Sequence, residues 1–312
     1  MKSNYRYIVK AFMAMAVIAG TTSCDDFLDR EPMSSISPET YYSTAAQLEA
    51  NLNDEYPNVL PSFGQWTYGI FGEDKGTDNQ IEVNANDRYT QDRWKVPHSE
   101  SDNWKFERIY RINFFLSEAL PKFGEDMIGS QNTISGSVAT IKHYIGEMYF
   151  LRAYEYFKKL QLFGDFPIIN QPLADEMEAL REASKRFPRN EVARFIISDL
   201  DKAYAYMSDV DMATTRINKD AAMLVKSRVA LFEATWLQNF KGTAFVPGGE
   251  GWPGASLHNN YQYPSGNIDN EVKYFLEQAV EASKLVADKY KGSLTENTGV
   301  LQQSADDPSN PY

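Results

Sequence analysis

Apolar residues recur at helical spacing through most of this chain, and most densely between Ile141 and Pro167, IKHYIGEMYFLRAYEYFKKLQLFGDFP. At about 100° per residue, Ile145, Tyr149, Ala153, Tyr156 and Leu160 form one stripe. Phe150, Tyr154 and Phe157 widen it beyond the arc of an ordinary surface helix. Glu147, Arg152, Glu155, Lys158 and Lys159 gather on the opposite side, and Glu155 precedes Lys159 in the favourable order for a surface pair. Gly164 offers a C-terminal cap and Pro167 prevents continuation. The pattern predicts one long helix that meets more than one neighbour, as in a stacked helical array.

Five further stretches carry the same period. Ser37-Pro38-Glu39 reads as a helix start, with Tyr41, Ala45, Leu48, Leu52 and Tyr56 as its stripe and Pro57 as its end. Trp104 to Leu120 follows, with Ile109, Ile112, Leu116 and Ala119 on one face. Asn190 is read as the cap of a helix striped by Val192, Ile196, Leu200, Ala203 and Met207. Asn218 caps another, with Val225, Val229, Phe232 and Trp236 aligned and small residues such as Ala222, Ala230 and Ala234 thinning other faces. The last runs from about residue 270 to 290 through Val272, Phe275, Ala279, Val286 and Tyr290.

Between these elements lie two long segments without a period. Residues 57–100 mix Gly, Asn, Asp and aromatics and are too long for a plain connection. Long loops on a rigid scaffold are where function concentrates. Sugar rings present C–H faces that pack on aromatic planes, and their hydroxyls need polar partners. Trp66 and Trp94 are therefore candidate stacking planes and Asp78 and Arg88 candidate hydroxyl partners; the alternative is that the aromatics pin the loop to the core. Asp74, Asp78 and Glu82 lack the glycine of a calcium-binding EF-hand loop, so no metal is expected. Gly242 to Tyr263, with Trp252 and Tyr261, is the second place for a site.

The helices fall into pairs, the 141–163 helix with 190–208 and then 219–238 with 270–290. The expected fold is all-α, a tetratricopeptide-like paired-helix superhelix whose long loop insertions erase a regular repeat. GEMYFLRAYEYFKKLQLFGDFP also resembles the signature helix of the RagB/SusD family, glycan-binding surface lipoproteins of Bacteroidota. Gly146, Glu147, Phe150, Leu151, Arg152, Ala153, Tyr156, Phe157, Phe163, Gly164, Asp165 and Pro167 match in register, while Lys158 and Lys159 displace the Leu that follows Tyr-Phe in the family. Tyr110, Ile112 and Asn113 resemble the family's second conserved helix, where Asn113 is read as a structural hydrogen-bonder. The resemblance implies the same paired-helix bundle. Family members run longer, so the chain, which closes on DDPSNPY, is read as an incomplete version.

Lys2, Arg6 and Lys10 precede an apolar run from Ala11 to Gly20 that is too short to span a bilayer, and Thr21-Thr22-Ser23-Cys24 follows. Residues 1–23 are expected to be a signal peptide, with Cys24 the lipidated first residue. Residues 24–36 would be the anchor and tether, and 37–312 the helical domain. Cys24 is the only cysteine, which leaves no disulfide framework and no cysteine-based zinc site. A net charge of −12, from 43 acidic and 31 basic residues, argues against nucleic acid as a partner. His98, His143 and His258 show no metalloprotease spacing, no G-x-S-x-G occurs, and no cofactor is expected.

The resemblance implies a lipid-anchored, cell-surface subunit of the outer membrane. It would capture oligo- or polysaccharide and deliver it to a SusC-like TonB-dependent transporter. Two alternatives remain at this point: a helical scaffold that binds only protein, and a glycoside hydrolase, for which no spacing singles out the two carboxylates required.

Overall fold

The computed structural model describes residues 41–61, 103–124, 126–208, 212 and 215–293. Among them are seven α-helices and no extended strand: α1 (Ala45–Val59), α2 (Glu107–Phe123), α3 (Val138–Phe163), α4 (Met177–Ala183), α5 (Arg189–Tyr206), α6 (Lys219–Asn239) and α7 (Ile268–Tyr290). Short polar side chains set the starts of four of them by accepting a first-turn backbone N–H. Thr44 accepts from Gln47, Ser137 from Thr140, Asn218 from Ala221 and Asn267 from Asn270. The Gln47 side chain reaches back to Thr44 and completes a capping box.

Apart from the short α4, successive helices run antiparallel. Arg111 of α2 pairs with Asp54 and Glu55 near the end of α1, while Lys122 lies over the Tyr42 ring at its head. Asn113 of α2 meets Arg152 of α3. Lys241, just beyond α6, pairs with Asp269 at the start of α7, and Lys289 at the far end of α7 pairs with Asp220 at the start of α6. The most extensive packing is α6 on α7 and α3 on α5, the two pairs expected from the sequence. The architecture is the tetratricopeptide-like stack of paired helices. No described helix is long and apolar enough to cross a membrane.

The core runs along α3, which packs on α1, α2 and α5 and touches α6. Ile145, Tyr149, Ala153, Tyr156 and Leu160 are buried as the period requires. Glu147, Arg152, Glu155 and Lys159 are buried too, which corrects the expectation of a solvated polar face and an exposed Glu155–Lys159 pair. A helix surrounded by neighbours has no side left for water, so its charges must find partners inside.

Four other expectations are corrected. The first helical run does not extend unbroken from residue 37, because a turn at Ser43 and the Thr44 cap restart it. Pro57 lies inside the last turn of α1 rather than ending it, and the Leu60 N–H closes that turn on the Tyr56 carbonyl. Asn190 does not cap α5. The helix begins after Pro188, and the Asn190 side chain reaches Tyr261 and Glu271. On α6 the buried face is Ala222, Met223, Lys226, Val229, Ala230, Glu233, Ala234 and Leu237; of the expected stripe Val229 belongs to it, while Val225, Phe232 and Trp236 are half-buried. Alanines mark the face where helices come close, and Phe232 and Trp236 turn toward a cavity.

Candidate functional site

The motif residues that suggested a family each have a physical job in α3 and the corner that follows it. Gly146 lies where α5 crosses: a Cβ there would come within 2.8 Å of the Met207 nitrogen and 2.9 Å of the Ala203 oxygen. Glu147 is a buried acceptor. The Tyr56 hydroxyl donates to it at 2.8 Å, and Arg216 donates through Nε at 2.8 Å and Nη2 at 2.6 Å. Burial beside Glu147 pushes the Tyr56 phenol well above its ordinary range. His143, one turn earlier, accepts the Ser208 N–H on Nδ1 at 3.2 Å, which leaves Nε2 as the protonated nitrogen beside Glu147 at 2.9 Å.

Arg152 makes a bidentate pair with Asp199, Nε to Oδ2 at 2.6 Å and Nη2 to Oδ1 at 2.8 Å. Its Nη1 donates to Asn113 at 2.9 Å and to the Asn170 carbonyl at 3.1 Å. Asn113 in turn donates to the Ile169 carbonyl at 2.8 Å, the structural role the sequence suggested. The Tyr156 hydroxyl accepts the Ile169 N–H at 2.8 Å and donates to its carbonyl at 3.0 Å. These groups fasten the strand of chain leaving α3 to the middle of the bundle.

At the end of α3, Gly164 turns the chain with φ 67°, and its N–H closes on the Leu160 carbonyl. Asp165 then serves two elements at once. Its Oδ1 accepts the Arg189 N–H at 2.9 Å, capping the positive end of α5, and its Oδ2 accepts the Trp252 Nε1–H at 2.7 Å. Phe166 is fully buried among Trp104, Phe106, Phe163 and Tyr156. Arg189 forks onto Glu233 of α6, Nε to Oε1 at 3.0 Å and Nη2 to Oε2 at 2.9 Å, with its guanidinium 4.1 Å from the centre of the Trp236 ring. Burial pushes both carboxyls above the usual range, Asp165 against the hydrogen bonds from Trp252 and Arg189, and Glu233 against the Arg189 guanidinium.

This corner is the floor of a cavity of about 510 Å³, lined by Gln161, Phe163, Asp165, Arg186, Arg189, Trp236, Phe245 and Trp252 among others. A second cavity of about 730 Å³ is lined by Tyr154, Phe157, Lys158, Arg228 and Phe232, with Asn58 to Pro61 at the end of α1. Gln161 lines both, so the two adjoin along the end of α3 and the side of α6, and together they are termed the trough. An aromatic run follows it. Phe157 to Phe232 is 5.7 Å between ring centres, Phe232 to Trp236 5.9 Å, Trp236 to Phe240 4.6 Å and Phe240 to Phe245 5.4 Å. Volumes of this size suit a small ligand or a few rings of a polymer. Phe245 stands 62% exposed at one end, with Leu162 and Leu257 also open to water.

Trp252 and Tyr261, the sequence's second choice of site, are brought to this corner but act as pins. Trp252 is buried under His258 and Tyr261 with its N–H on Asp165, and the Tyr261 hydroxyl is held by Asn190. Phe245, Tyr154 and Phe232, which line the trough, were not singled out from the sequence as site residues. The available signal was an unpaired Phe in a Gly- and Pro-rich loop beside two aromatics of α6 four residues apart. Cys24, Trp66, Asp78, Arg88 and Trp94 lie outside the described residues. Pro61, at the last described position before the segment carrying those four loop residues, lines the trough.

A family model described as SusD-like, starch-binding associating with outer membrane, matches residues 26–231. Among curated proteins, SusD-like protein P25 of Formosa agariphila is 26% identical over 233 residues, covering 69% of this chain and 41% of that protein. SusD-like protein P2 of the same organism is 25% identical over 253 residues, covering 77% and 46%. The chain thus spans less than half the length of the curated relatives it matches. Among solved structures, a SusD-like carbohydrate-binding protein from Bacteroides vulgatus gives a TM-score of 0.48 at 14% identity, covering 82% of this chain and 47% of that one. A SusD-like protein from Bacteroides fragilis gives 0.47 at 21% identity, covering 68% and 39%.

Proposed function

The chain belongs to the SusD-like family, and on that premise we propose that it captures oligo- or polysaccharide at the outer membrane. The observation that carries this reading is the trough at the end of α3. It is lined by the half-buried Tyr154, Phe232 and Trp236 and the exposed Phe245 beside amide and guanidinium donors, the combination that sugar rings require. Two signature residues, Gly164 and Asp165, line its floor, and Gln161, outside the signature, lines both of its cavities. Each aromatic contact contributes on the order of 1 kcal/mol, so binding rests on several weak contacts, with dissociation constants of roughly micromolar to millimolar.

Trp66, Asp78, Arg88 and Trp94 belong to the same proposal, since the segment that holds them follows Pro61 at the trough's edge. Lipidation at Cys24, after removal of residues 1–23, would anchor the protein to the outer membrane, and a SusC-like TonB-dependent transporter would receive the glycan. Binding is favoured over hydrolysis because Asp165 is the one carboxylate among the described residues lining the trough, and both its oxygens are engaged in holding α5 and Trp252. The test is retention of the full chain in native gels cast with a panel of polysaccharides, with a reducing-end assay alongside. Retention without released reducing ends supports capture. Release of new ends makes the protein a hydrolase, and no retention by any glycan of the panel leaves the protein-binding scaffold as the reading.

A further inference from the structure

Taking the trough as the glycan site, its charge says which glycans it fits. The chain as a whole is acidic, with 43 acidic and 31 basic residues. The trough reverses that balance: Lys158, Arg186, Arg189 and Arg228 line it against the single carboxylate of Asp165. Two of these cations are already committed, Lys158 to Glu155 at 2.6 Å and Arg189 to Glu233. The other two are not. Arg228 is exposed and has no carboxylate partner among the described residues. Arg186 is exposed too, with its guanidinium 4.6 Å from the centre of the Trp104 ring and no carboxylate partner among the described residues. One of the pair lines each cavity, and Gln161 lines both.

A guanidinium presents N–H groups in a planar fork that matches a carboxylate or a sulfate ester, and it stays charged at every physiological pH. A neutral sugar would use the aromatic planes and leave both forks hydrated. A polymer with an anionic group on successive or alternate residues would fill them while its rings stack on Phe232, Phe245 and Tyr154. We propose that the trough takes acidic polysaccharide, carrying uronate or sulfate groups, with Arg186 and Arg228 as the two charge-reading residues. This inference rests on the glycan-capture reading above. The net charge of −12 sharpens it, because an anionic polymer is repelled by the protein on average and gains only where unpaired cations gather.

The experiment uses the full chain in native gels containing polygalacturonate, dextran sulfate or neutral dextran, at low and at about 0.5 M salt. Wild type should be retarded by at least one acidic polymer and little by dextran, with most of the retardation lost at high salt. R186A and R228A should each weaken binding roughly fivefold, and the double variant more, with unchanged melting temperature. The charge control is K273A, which removes an exposed lysine of α7. Equal loss in K273A would make the effect a general one of net charge and overturn the assignment. Retention by dextran that R186A and R228A leave intact overturns the acidic-glycan inference while glycan capture stands. Retention by none of the three polymers, alongside retention by other neutral glycans, has the same meaning. Retention by no glycan at all removes both readings.

Discussion

The middle of α3 and its C-terminal end are built from the same kinds of side chain and put to opposite uses. Between Glu147 and Glu155 the helix buries acids and a guanidinium, each held by a partner: Arg216 and Tyr56 on Glu147, Asp199 on Arg152, Lys158 on Glu155. From Tyr154 to Phe163 aromatic and cationic side chains line an open trough, where Arg228 across from them has no carboxylate partner among the described residues. In the middle, each of these charges faces an opposite charge and the helix is fixed, although the Glu155 Oε2 that Lys158 approaches makes no well-aligned hydrogen bond. At the end, the fixed helix presents groups that a ligand can satisfy. The difference means that in this chain the signature residues from Gly146 to Arg152 serve as scaffold, and the proposed ligand contacts Tyr154, Phe232 and Phe245 lie outside the signature.

The sharpest way to break that division is at Arg152. Truncating it to Ala leaves the buried Asp199 with only the half-exposed Lys202 ammonium at 3.9 Å, and breaking a buried pair from one side costs about 3–5 kcal/mol. R152A should lower the melting temperature by many degrees while whatever remains folded keeps its glycan affinity. A stable R152A that has lost binding would move Arg152 from scaffold to site. Gly146 comes next. A methyl group at 2.8–2.9 Å from α5 backbone and from Met207 forces the helices apart, and overpacking of this kind costs about 1–3 kcal/mol. Chemical denaturation of G146A should show that loss, again without a change in ligand specificity; a variant as stable as wild type would mean that α5 is free to shift.

A smaller effect depends on pH. Burial alone would raise the Glu271 carboxyl, but hydrogen bonds from Arg194, Asn190 and Ser265 outweigh it and hold the group below its ordinary 4.5. Below that ordinary value the unfolded chain binds the proton more readily than the folded one. Glu271 therefore contributes stability above about pH 4.5 that is lost as the pH falls through its lowered folded value. E271Q should be less stable than wild type near neutral pH, and the gap should narrow in acid. Melting curves from about pH 7 down to pH 3 measure it, and a gap that stays constant would show that Glu271 titrates alike in both states.

These effects also mark where sequence reading stops. The stripes of α2, α3 and α5 were legible because burial on one side imposes a period, and Ile112, Tyr156 and Leu200 fell where that period put them. The burial of Glu147 and Arg152 was not, because their partners are distant in sequence: Tyr56 is 91 residues from Glu147 and Asp199 is 47 from Arg152. A charge looks solvated until its partner is known. Trp252 drew attention as a large aromatic in a loop, yet the Asp165 carboxylate that pins it lies 87 residues away. Phe245 carries no motif at all; its exposure depends on how the turns after α6 fold back beside Trp236, whose N–H donates to the Phe245 carbonyl at 3.0 Å.

Phe245 is therefore where the central claim, that glycan binds along the trough at the end of α3, is most directly tested. Its side chain is exposed, so F245A should leave stability within about 0.5 kcal/mol of wild type. The measurement is retention of F245A, and of F245A combined with Tyr154→Ala, in native gels against the polysaccharide that best retards the wild-type chain. A several-fold weaker affinity is expected for F245A, with its melting temperature unchanged, and a larger loss for the double variant, whose fold is checked by circular dichroism because Tyr154 is half-buried on Phe150. Wild-type retention by a folded double variant would contradict the claim and place the site elsewhere on the molecule.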